Sequence, residues 1–265
     1  EDIAAGLATL PAAVPGLGRD PGGLFSFGFS LDPMALRTFY EARLDAMEKA
    51  PFQCAALAEL QASTAQGRQA LAQPLPPVVY NFRGMMATIE DVEGFDMSTT
   101  QPPESIDAGI LFVVENAQDL VNMAALMSPQ VAALNLLPGG KYRRLDLPEL
   151  GEMAEKAFAA LSNSGLSISV GDGAEQKAEA MLEADIERTS PLMSVSVDAK
   201  RYYEFVGQAM MQADEPEEGD PTPIEVREAM RDVVLSSGSI YERMLTRVYL
   251  TSRGIEVATR MTLAR

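Results

Sequence analysis

The stretch FSFGFSLDP at residues 25–33 shows how this chain is built. Its first part places aromatic side chains at alternate positions, which is the pattern of a strand with one buried face. Asp32 and Pro33 follow. This pair is typical of a helix start, because the carboxylate accepts hydrogen bonds from free N–H groups and proline suits the first helical position. The stretch therefore predicts a strand that leads directly into a helix.

The same junction occurs twice more along the chain. GILFVVENA at 109–117 reaches its helix at Asn116, 84 residues after Asp32, and PLMSVSVDA at 191–199 reaches its helix at Asp198, 82 residues later. Each helix is followed by apolar segments around a glycine, which predicts a hairpin. The three glycines are Gly84, Gly165 and Gly254. A regular spacing of this kind indicates tandem structural units.

The repeat predicts an α+β fold of tandem β-α-β-β units. The units would occupy 1–107, 108–190 and 191–265, either separately or as one continuous domain. Short hairpins favour antiparallel pairing, while strand–helix–strand crossovers permit some parallel pairing. Each helix carries one apolar stripe, so we expect mostly antiparallel sheets with the helices packed on one face.

Three local features complete the predicted fold. Residues 1–23 are rich in Ala, Gly and Pro and are expected to form a lead-in strand or coil, and the first hairpin is expected at 78–91, turning at Gly84. The second unit has an extra helix, which Asp172 and Glu175 would begin as a capping-box-like pair.

Composition excludes several functions. The net charge of −17 over 265 residues disfavours nucleic acid and anionic membranes as partners, and the basic cluster Lys141, Arg143 and Arg144 is too small to reverse this. Histidine is absent, so no Ser-His-Asp triad and no imidazole metal site can form. Cys54 is the single cysteine, so the chain has no internal disulfide. We expect Cys54 to be a small buried hydrophobe, with an external partner cysteine or a reactive thiol as alternatives.

No apolar run reaches the length of a membrane span. The first twenty residues lack an initiator Met, a basic region and an uninterrupted apolar region, so we expect that any leader was removed before residue 1.

Acidic or amide residues at the starts of the predicted helices are the first candidate site. They are Asp32, Asn116, Asp172 and Asp198. They could be catalytic carboxylates at strand ends, but helix capping alone explains their type and position, and capping is the favoured interpretation.

Other motifs are weaker. SVGDGAE, with Gly171 and Gly173, resembles a phosphate loop but lacks its lysine and third glycine, so a turn explains it. The acidic groups at 90–93 and 217–220 lack calcium-loop spacing and are expected on solvated loops. These groups contain Glu90, Asp91, Glu93, Glu217, Glu218 and Asp220. A glycosidase-type carboxylate pair stays open, and the sequence singles out no catalytic, cofactor-binding or metal-binding residue.

The chain contains 15 methionines, most of them in or near apolar stripes. Those considered are Met34, Met47, Met85, Met86, Met123, Met127, Met210 and Met211. Core filling is the default role, and a soft groove for a hydrophobic ligand or peptide is the alternative.

Several segments carry a family resemblance. The runs PFQCAALAELQAS and ALAQPLPPVVYNFRG, then IEDVEG, together with DPMALRTFYEARLDAM and ALSNSGLSISVGDGAEQKAEAML, resemble exported proteobacterial proteins of unknown function built from repeated strand–helix–hairpin units. The resemblance is one of layout. It implies an envelope location behind a cleaved or lipidated signal and a non-enzymatic role, and it brings no catalytic motif. The single cysteine departs from disulfide-bearing relatives.

We therefore expect a soluble periplasmic or surface-anchored, lipoprotein-like protein of a Gram-negative bacterium. It would bind a hydrophobic ligand, a peptide or a protein partner without catalysis and without a cofactor, nucleic acid or transmembrane segment. The alternatives are a carboxylate-dependent envelope hydrolase acting on glycan or peptide, and a structural assembly subunit. The function is expected where the units differ: at the Cys54 helix, the extra Asp172 helix and the acidic loop after Met211.

Overall fold

The computed structural model describes residues 3–94, 103–139, 141–145, 156–212 and 224–264. The strands are β1 (Phe25–Ser30), β2 (Phe82–Glu93), β3 (Ser105–Val114), β4 (Arg143–Arg144), β5 (Ala157–Leu161), β6 (Gly165–Val170), β7 (Met193–Asp198), β8 (Tyr241–Thr251) and β9 (Gly254–Leu263). The helices are α1 (Ile3–Leu7), α2 (Pro33–Lys49), α3 (Ala58–Ala62), α4 (Thr64–Ala72), α5 (Pro77–Asn81), α6 (Ala117–Met127), α7 (Pro129–Leu134), α8 (Ala174–Glu183), α9 (Ala199–Gln212) and α10 (Ile224–Ile240), with a 3-10 turn at Ala55–Leu57.

The nine strands form one antiparallel sheet in the order β4-β5-β6-β3-β2-β1-β7-β8-β9. The predicted α+β class with mostly antiparallel pairing is confirmed. The sheet runs without a break through all three predicted segments, and the predicted boundary between 107 and 108 falls inside β3.

The repeated chain order does not produce repeated pairing. β1 pairs with β2, and β7 pairs with β8. In both cases the partner is the strand that follows the intervening helices. β3 instead pairs with β6, so β5 lies one strand further out. The second segment therefore adds its hairpin to the sheet in the opposite order from the third segment.

One face of the sheet carries small side chains. Ser26, Gly28 and Ser30 of β1 lie on this face, and the Ser30 hydroxyl donates a buried hydrogen bond of 2.7 Å to the Pro191 carbonyl. A bare backbone lets other segments approach closely, and a Cβ placed on Gly28 would lie 2.5 Å from a methyl carbon of Leu17. The small face therefore accepts a chain segment laid directly on it.

The lead-in segment is that covering layer. After α1, residues 10–20 cross the small face and bury Leu10, Val14 and Leu17. Val14 and Leu17 pack in one core cluster with Met86 of β2 and with α8. The predicted lead-in strand or coil is thus a short helix followed by a segment that belongs to the core.

The helices pack on both faces of the sheet, whereas the sequence predicted one face. On the small face, the Ser167 hydroxyl of β6 donates to the Ala178 carbonyl of α8. On the other face, Leu166 and Ile168 of β6 pack with Val121 of α6. Adjacent strand residues point to opposite sides, so both sides of β6 are covered.

Glycine 84 has a different role from the predicted hairpin turn. Gly84 lies within the continuous strand β2, at a bulge where the register with β3 shifts after Phe82. Its φ is 151°, and a Cβ would lie 2.3 Å from the Phe29 carbonyl oxygen. The first predicted hairpin is therefore wrong, because this glycine lies in a bulge of the β2–β3 pair and in close contact with β1. The hairpins at Gly165 and Gly254 are confirmed as β5–β6 and β8–β9.

Two of the predicted helix caps are confirmed. Asp32 accepts hydrogen bonds from the Met34 and Ala35 N–H groups at 2.8 and 3.0 Å, and Asp198 accepts from the Arg201 N–H at 3.0 Å. Asn116 precedes α6 but has a φ of 56° and makes no side-chain cap. Its backbone turn, rather than its amide, begins that helix.

Cys54 is exposed, which corrects the predicted burial. The predicted helix that begins near it is broken into the 3-10 turn, α3 and α4. Within the described ranges, no helix combines the length and apolar composition that a membrane crossing requires.

Candidate functional site

An apolar cavity lies between α6, α7 and the end of the sheet. The sequence of α6 places Leu120, Val121 and Ala124 on one side, at the three- and four-residue spacing that puts them on one helix face. Ser128 begins α7 by accepting a hydrogen bond from the Val131 N–H at 3.4 Å. This sharp change of direction lets both helices turn apolar side chains toward β5 and β6.

The cavity, here called the α6–α7 cavity, has a volume of about 230 Å³. Eleven described residues line it; ten of them are apolar, and Gln130 is the exception. The ten are Leu120, Val121, Ala124, Val131, Leu134, Leu136, Leu145, Ala159, Leu166 and Ile168. A site of this kind can hold a ligand by burial of apolar surface, and it offers little for polar recognition.

One small residue contributes to the space on the sheet side of the cavity. Ala159 of β5 is buried and lines the cavity beside Leu166 and Ile168 of β6. An alanine methyl group fills less volume than a longer side chain would, whereas protein interiors are otherwise closely packed. An apolar cavity of roughly 150 Å³ in another protein stays free of water and binds benzene, so a volume of 230 Å³ is sufficient for a small apolar molecule or part of a chain.

The described lining of the α6–α7 cavity differs from the predicted groove of methionines. No methionine is among the described residues that line the α6–α7 cavity. Met123 and Met127 of α6 are exposed on the helix surface, whereas Met86 and Met181 fill the core. These four methionines therefore divide between core filling and an exposed helix face, and the described cavity walls consist of branched aliphatic side chains, alanine and Gln130.

A second concave region, here called the acidic cleft, lies at the end of β2 and the start of β3, away from the end of β3 that leads into α6. Its volume is about 330 Å³. It is lined by Asp91, Glu93, Glu104, Ser105, Ile106, Asp107, Lys156, Gly171 and Asp172. Residues from β2, β3 and the β6–α8 turn meet there, which no single sequence motif could indicate.

Cations neutralise most of these carboxylates. Lys177 of α8 is largely buried and bridges Asp107 and Glu90, with 3.0 Å to the Glu90 carboxylate, while Arg201 binds Asp91. Glu90 and Asp91 were predicted on a solvated loop, but they lie in β2 and are ion-paired. Glu93 lies at the end of the same strand, where its carboxylate accepts a hydrogen bond from Ser105 at 3.2 Å.

Asp172 does not begin α8 as predicted. Gly173 occupies the position before the helix, and no side chain caps it. The Lys156 ammonium instead donates to Asp172 at 2.5 Å, and this hydrogen bond, helped by the charge attraction, lowers the pKa of Asp172 and raises the pKa of Lys156. The predicted phosphate-loop glycines are part of this β6–α8 turn, as the turn interpretation of that motif expected.

Acid–base catalysis by a carboxyl pair requires an acid with a raised pKa. The described carboxyl groups whose surroundings displace the pKa are all displaced downward; they are Asp20, Asp45, Asp172 and Glu256. Ion pairs at the acidic cleft join β2, β3, α8 and α9, through Lys177 and Arg201. Among described residues, no group of three or more potential ligands could hold a metal ion, and the acidic group at 217–220 lies outside these residues.

The four junction residues do not form one site. Asp32 and Asn116 follow β1 and β3 at one end of the strands, next to the start of β2. Asp172 and Asp198 lie at the other end, since β6 and β7 run antiparallel to β3 and β1. Sequence reasoning did not predict the α6–α7 cavity. The one signal in the sequence was the apolar run AFAAL of β5, which contributes Ala159 to the lining.

The chain matches no known protein-family profile, and neither the curated proteins nor the solved structures include one that is similar to it.

Proposed function

We propose that this protein is a non-catalytic binding protein of the Gram-negative cell envelope whose ligand is an apolar small molecule or chain. The α6–α7 cavity is the observation that carries the proposal. Ten of the eleven described residues in its walls are apolar, and its volume of about 230 Å³ suits part of a hydrophobic ligand. The ion-paired carboxylates of the acidic cleft favour binding over hydrolysis.

The binding energy would come from removing apolar ligand surface from water. Each buried CH₂ group contributes about 0.8 kcal/mol, so a ligand that fills the cavity with several carbon atoms gains a few kcal/mol without any hydrogen bond. Because Gln130 is the one described lining residue with a polar side chain, shape and chain length would decide which ligands bind.

Titration with the uncharged fluorescent probe N-phenyl-1-naphthylamine tests the proposal. Ala124→Phe places a ring in the cavity from α6, and Ala133→Phe adds the same ring at an exposed position of α7 outside the lining. We expect saturable binding to the natural protein, a loss of at least about tenfold in affinity for Ala124→Phe, which corresponds to 1.4 kcal/mol, and no change for Ala133→Phe. Equal binding by both variants would overturn the proposal, provided that circular dichroism shows both to be folded.

The envelope location is a separate part of the proposal and is supported by the sequence resemblance alone. Fractionation of cells that express the natural gene, with antibody detection of the protein, tests it. We expect the protein in the periplasmic or membrane-anchored fraction, and recovery in the cytoplasm would refute the location without affecting the cavity.

A further inference from the structure

Strand β9 is an open edge of the sheet. In the part of the chain that the structure describes, β9 pairs with β8 alone. Every residue from 257 to 264 is exposed. One face of the strand is apolar, and its side chains Ile255, Val257, Met261 and Leu263 keep 66%, 64%, 52% and 62% of their surface accessible. An unpaired strand edge with an exposed apolar face is a template for pairing with another chain.

The turn that precedes β9 determines which backbone groups face outward. Thr251 and Gly254 pair across a two-residue turn, so they exchange hydrogen bonds with each other. Bonding alternates along an antiparallel pair, and even-numbered residues of β9 therefore point their N–H and C=O groups toward β8. The N–H of Ala264, another even-numbered residue, follows the same alternation, since it donates to the Ile240 carbonyl at 3.0 Å. The odd-numbered residues Ile255, Val257, Thr259 and Met261 point theirs away from the sheet.

The two edges of the sheet differ in protection. Edge strands are normally short, charged or interrupted by proline or a bulge. The β4 edge obeys this rule, since it has two residues, Arg143 and Arg144. β9 has ten residues without proline or lysine, and the irregularity of the β8–β9 pair lies on the β8 side, between Tyr241 and Arg243. Its only charged side chains are Glu256 and Arg260.

We propose that β9 is the docking surface for a second copy of this chain, which pairs with it as an antiparallel strand across a two-fold axis at Ala258. In this register Glu256 lies opposite Arg260 of the second copy, and Ala258 lies opposite its own equivalent. On the apolar face, Ile255 lies opposite Met261 and Val257 lies opposite Thr259. The interface thus contains two ion pairs and a continuous main-chain ladder.

Charge complementarity selects this register. Opposite charges across a strand pair stabilise it, and like charges destabilise it. Among described residues, Arg260 makes no ion pair within its own chain. Glu256 accepts two hydrogen bonds from Arg253, at 2.9 and 3.0 Å, and one from the Thr251 hydroxyl at 2.7 Å, which leaves one of its four lone-pair positions for a second cation. If the axis moved by one residue to Thr259, each Arg260 would lie diagonal to the other and opposite Ala258. The register centred on Ala258 is therefore the favoured one.

The assembly closes at two copies. The described part of each chain has one such edge, and a two-fold contact uses the same surface of both chains. Two nine-stranded sheets would join into one continuous sheet, while the short basic β4 edges stay at the outside. The charge of −17 on each chain opposes the association, so it is best measured near 0.15 M salt, where exposed charges are screened beyond about 8 Å.

Sedimentation equilibrium of the full chain tests the dimer and its surface. We expect a monomer–dimer equilibrium in the natural protein. Arg260→Glu should weaken the dimer about tenfold, since it places like charges at both paired positions. The double variant Glu256→Arg with Arg260→Glu exchanges the charges and should restore the dimer. A protein that is monomeric throughout, an assembly larger than two, or a dimer that ignores Arg260→Glu would each overturn the proposal.

Cross-linking tests the register. In a Cys54→Ser background, Ala258→Cys should form a disulfide-linked dimer under mild oxidation, because its two Cβ atoms meet at the axis within disulfide reach. Thr262→Cys is the matched control, since it lies opposite Gly254 of the second copy and far from its own equivalent. Cross-linking of Thr262→Cys but not of Ala258→Cys would refute the register.

Discussion

The hairpins β5–β6 and β8–β9 follow the same plan in the chain and have opposite surroundings. In β5, Ala157, Ala159, Ala160 and Leu161 are all buried. In β9, every residue after Glu256 is exposed. The difference is in the covering layers, since α6 and α7 pack on one face of β5–β6 and α8 packs on the other. The β5–β6 hairpin therefore belongs to the core, whereas β9 is an exposed edge of the sheet.

The test with the largest expected change in unfolding free energy removes one large side chain from each hairpin. Leu161→Ala takes a fully buried side chain from the β5–β6 core and should cost about 2–5 kcal/mol of unfolding free energy. Ile255→Ala takes an exposed side chain from β9 and should cost about 0.5 kcal/mol. Urea unfolding followed by circular dichroism measures both. Similar costs for the two variants would mean that β9 is covered in solution, so the comparison should be made at concentrations where the chain is monomeric.

The second test compares two glycines with positive φ. Gly84→Ala would push a Cβ to 2.3 Å from the Phe29 carbonyl oxygen at the centre of the sheet, so it should cost about 2 kcal/mol or more. Gly254, with a φ of 123°, lies in the exposed β8–β9 turn and has no atom within 4 Å of an added Cβ. Gly254→Ala should cost about 1 kcal/mol, from backbone strain alone. Thermal unfolding gives both values, and a reversed order would contradict the assigned bulge at Gly84.

The smallest expected effect concerns Asp20. Its carboxylate attaches the lead-in segment to β7 and β8, through Ser196 and Arg243. Burial opposes its ionisation, but hydrogen bonds from Arg243, Gly22 and Ser196 outweigh burial and lower the pKa of Asp20 below its ordinary value of 3.8. Its charged form therefore stabilises the fold fully above about pH 4, and this contribution is lost as the pH falls through the lowered pKa.

Asp20→Asn should accordingly reduce stability at pH 7 by about 1 kcal/mol or less, as for other partly exposed ion pairs. The difference from the natural protein should become smaller as the pH falls through the lowered pKa of Asp20. Urea unfolding at pH 7 and near pH 2.5 measures it. A difference that persists in acid would show that Asp20 acts through something other than its charge.

Some of the fold follows from local patterns alone. The alternation of Phe25, Phe27 and Phe29 predicted β1, and the Asp32–Pro33 pair predicted α2 and its cap, because these signals depend on neighbouring residues. Gly254 correctly indicated a hairpin for the same reason. Gly84 misled, since a glycine within an apolar run can permit a turn or a bulge, and the close approach of β1 decides between them.

The candidate sites were largely beyond prediction. The α6–α7 cavity needs Leu120 from one helix, Leu134 from the next and Ala159 from a strand, and their meeting depends on how the helices fold back over the sheet. The ion pairs of Lys177 with Glu90 and Asp107 likewise join residues that are far apart in the chain. Side-chain type showed that these residues were apolar or charged, but not which of them would be neighbours.

By itself, the sequence determined the secondary structure of the clearest strands and helices, the antiparallel α+β class and the absence of histidine chemistry, because composition and short-range periodicity act within a few residues. Only the tertiary structure decided the order of the strands, the insertion of residues 10–20 into the core, the cavity beneath α6 and the open edge of β9. These features depend on contacts between distant residues, and a local pattern cannot state which partner a strand or helix will find.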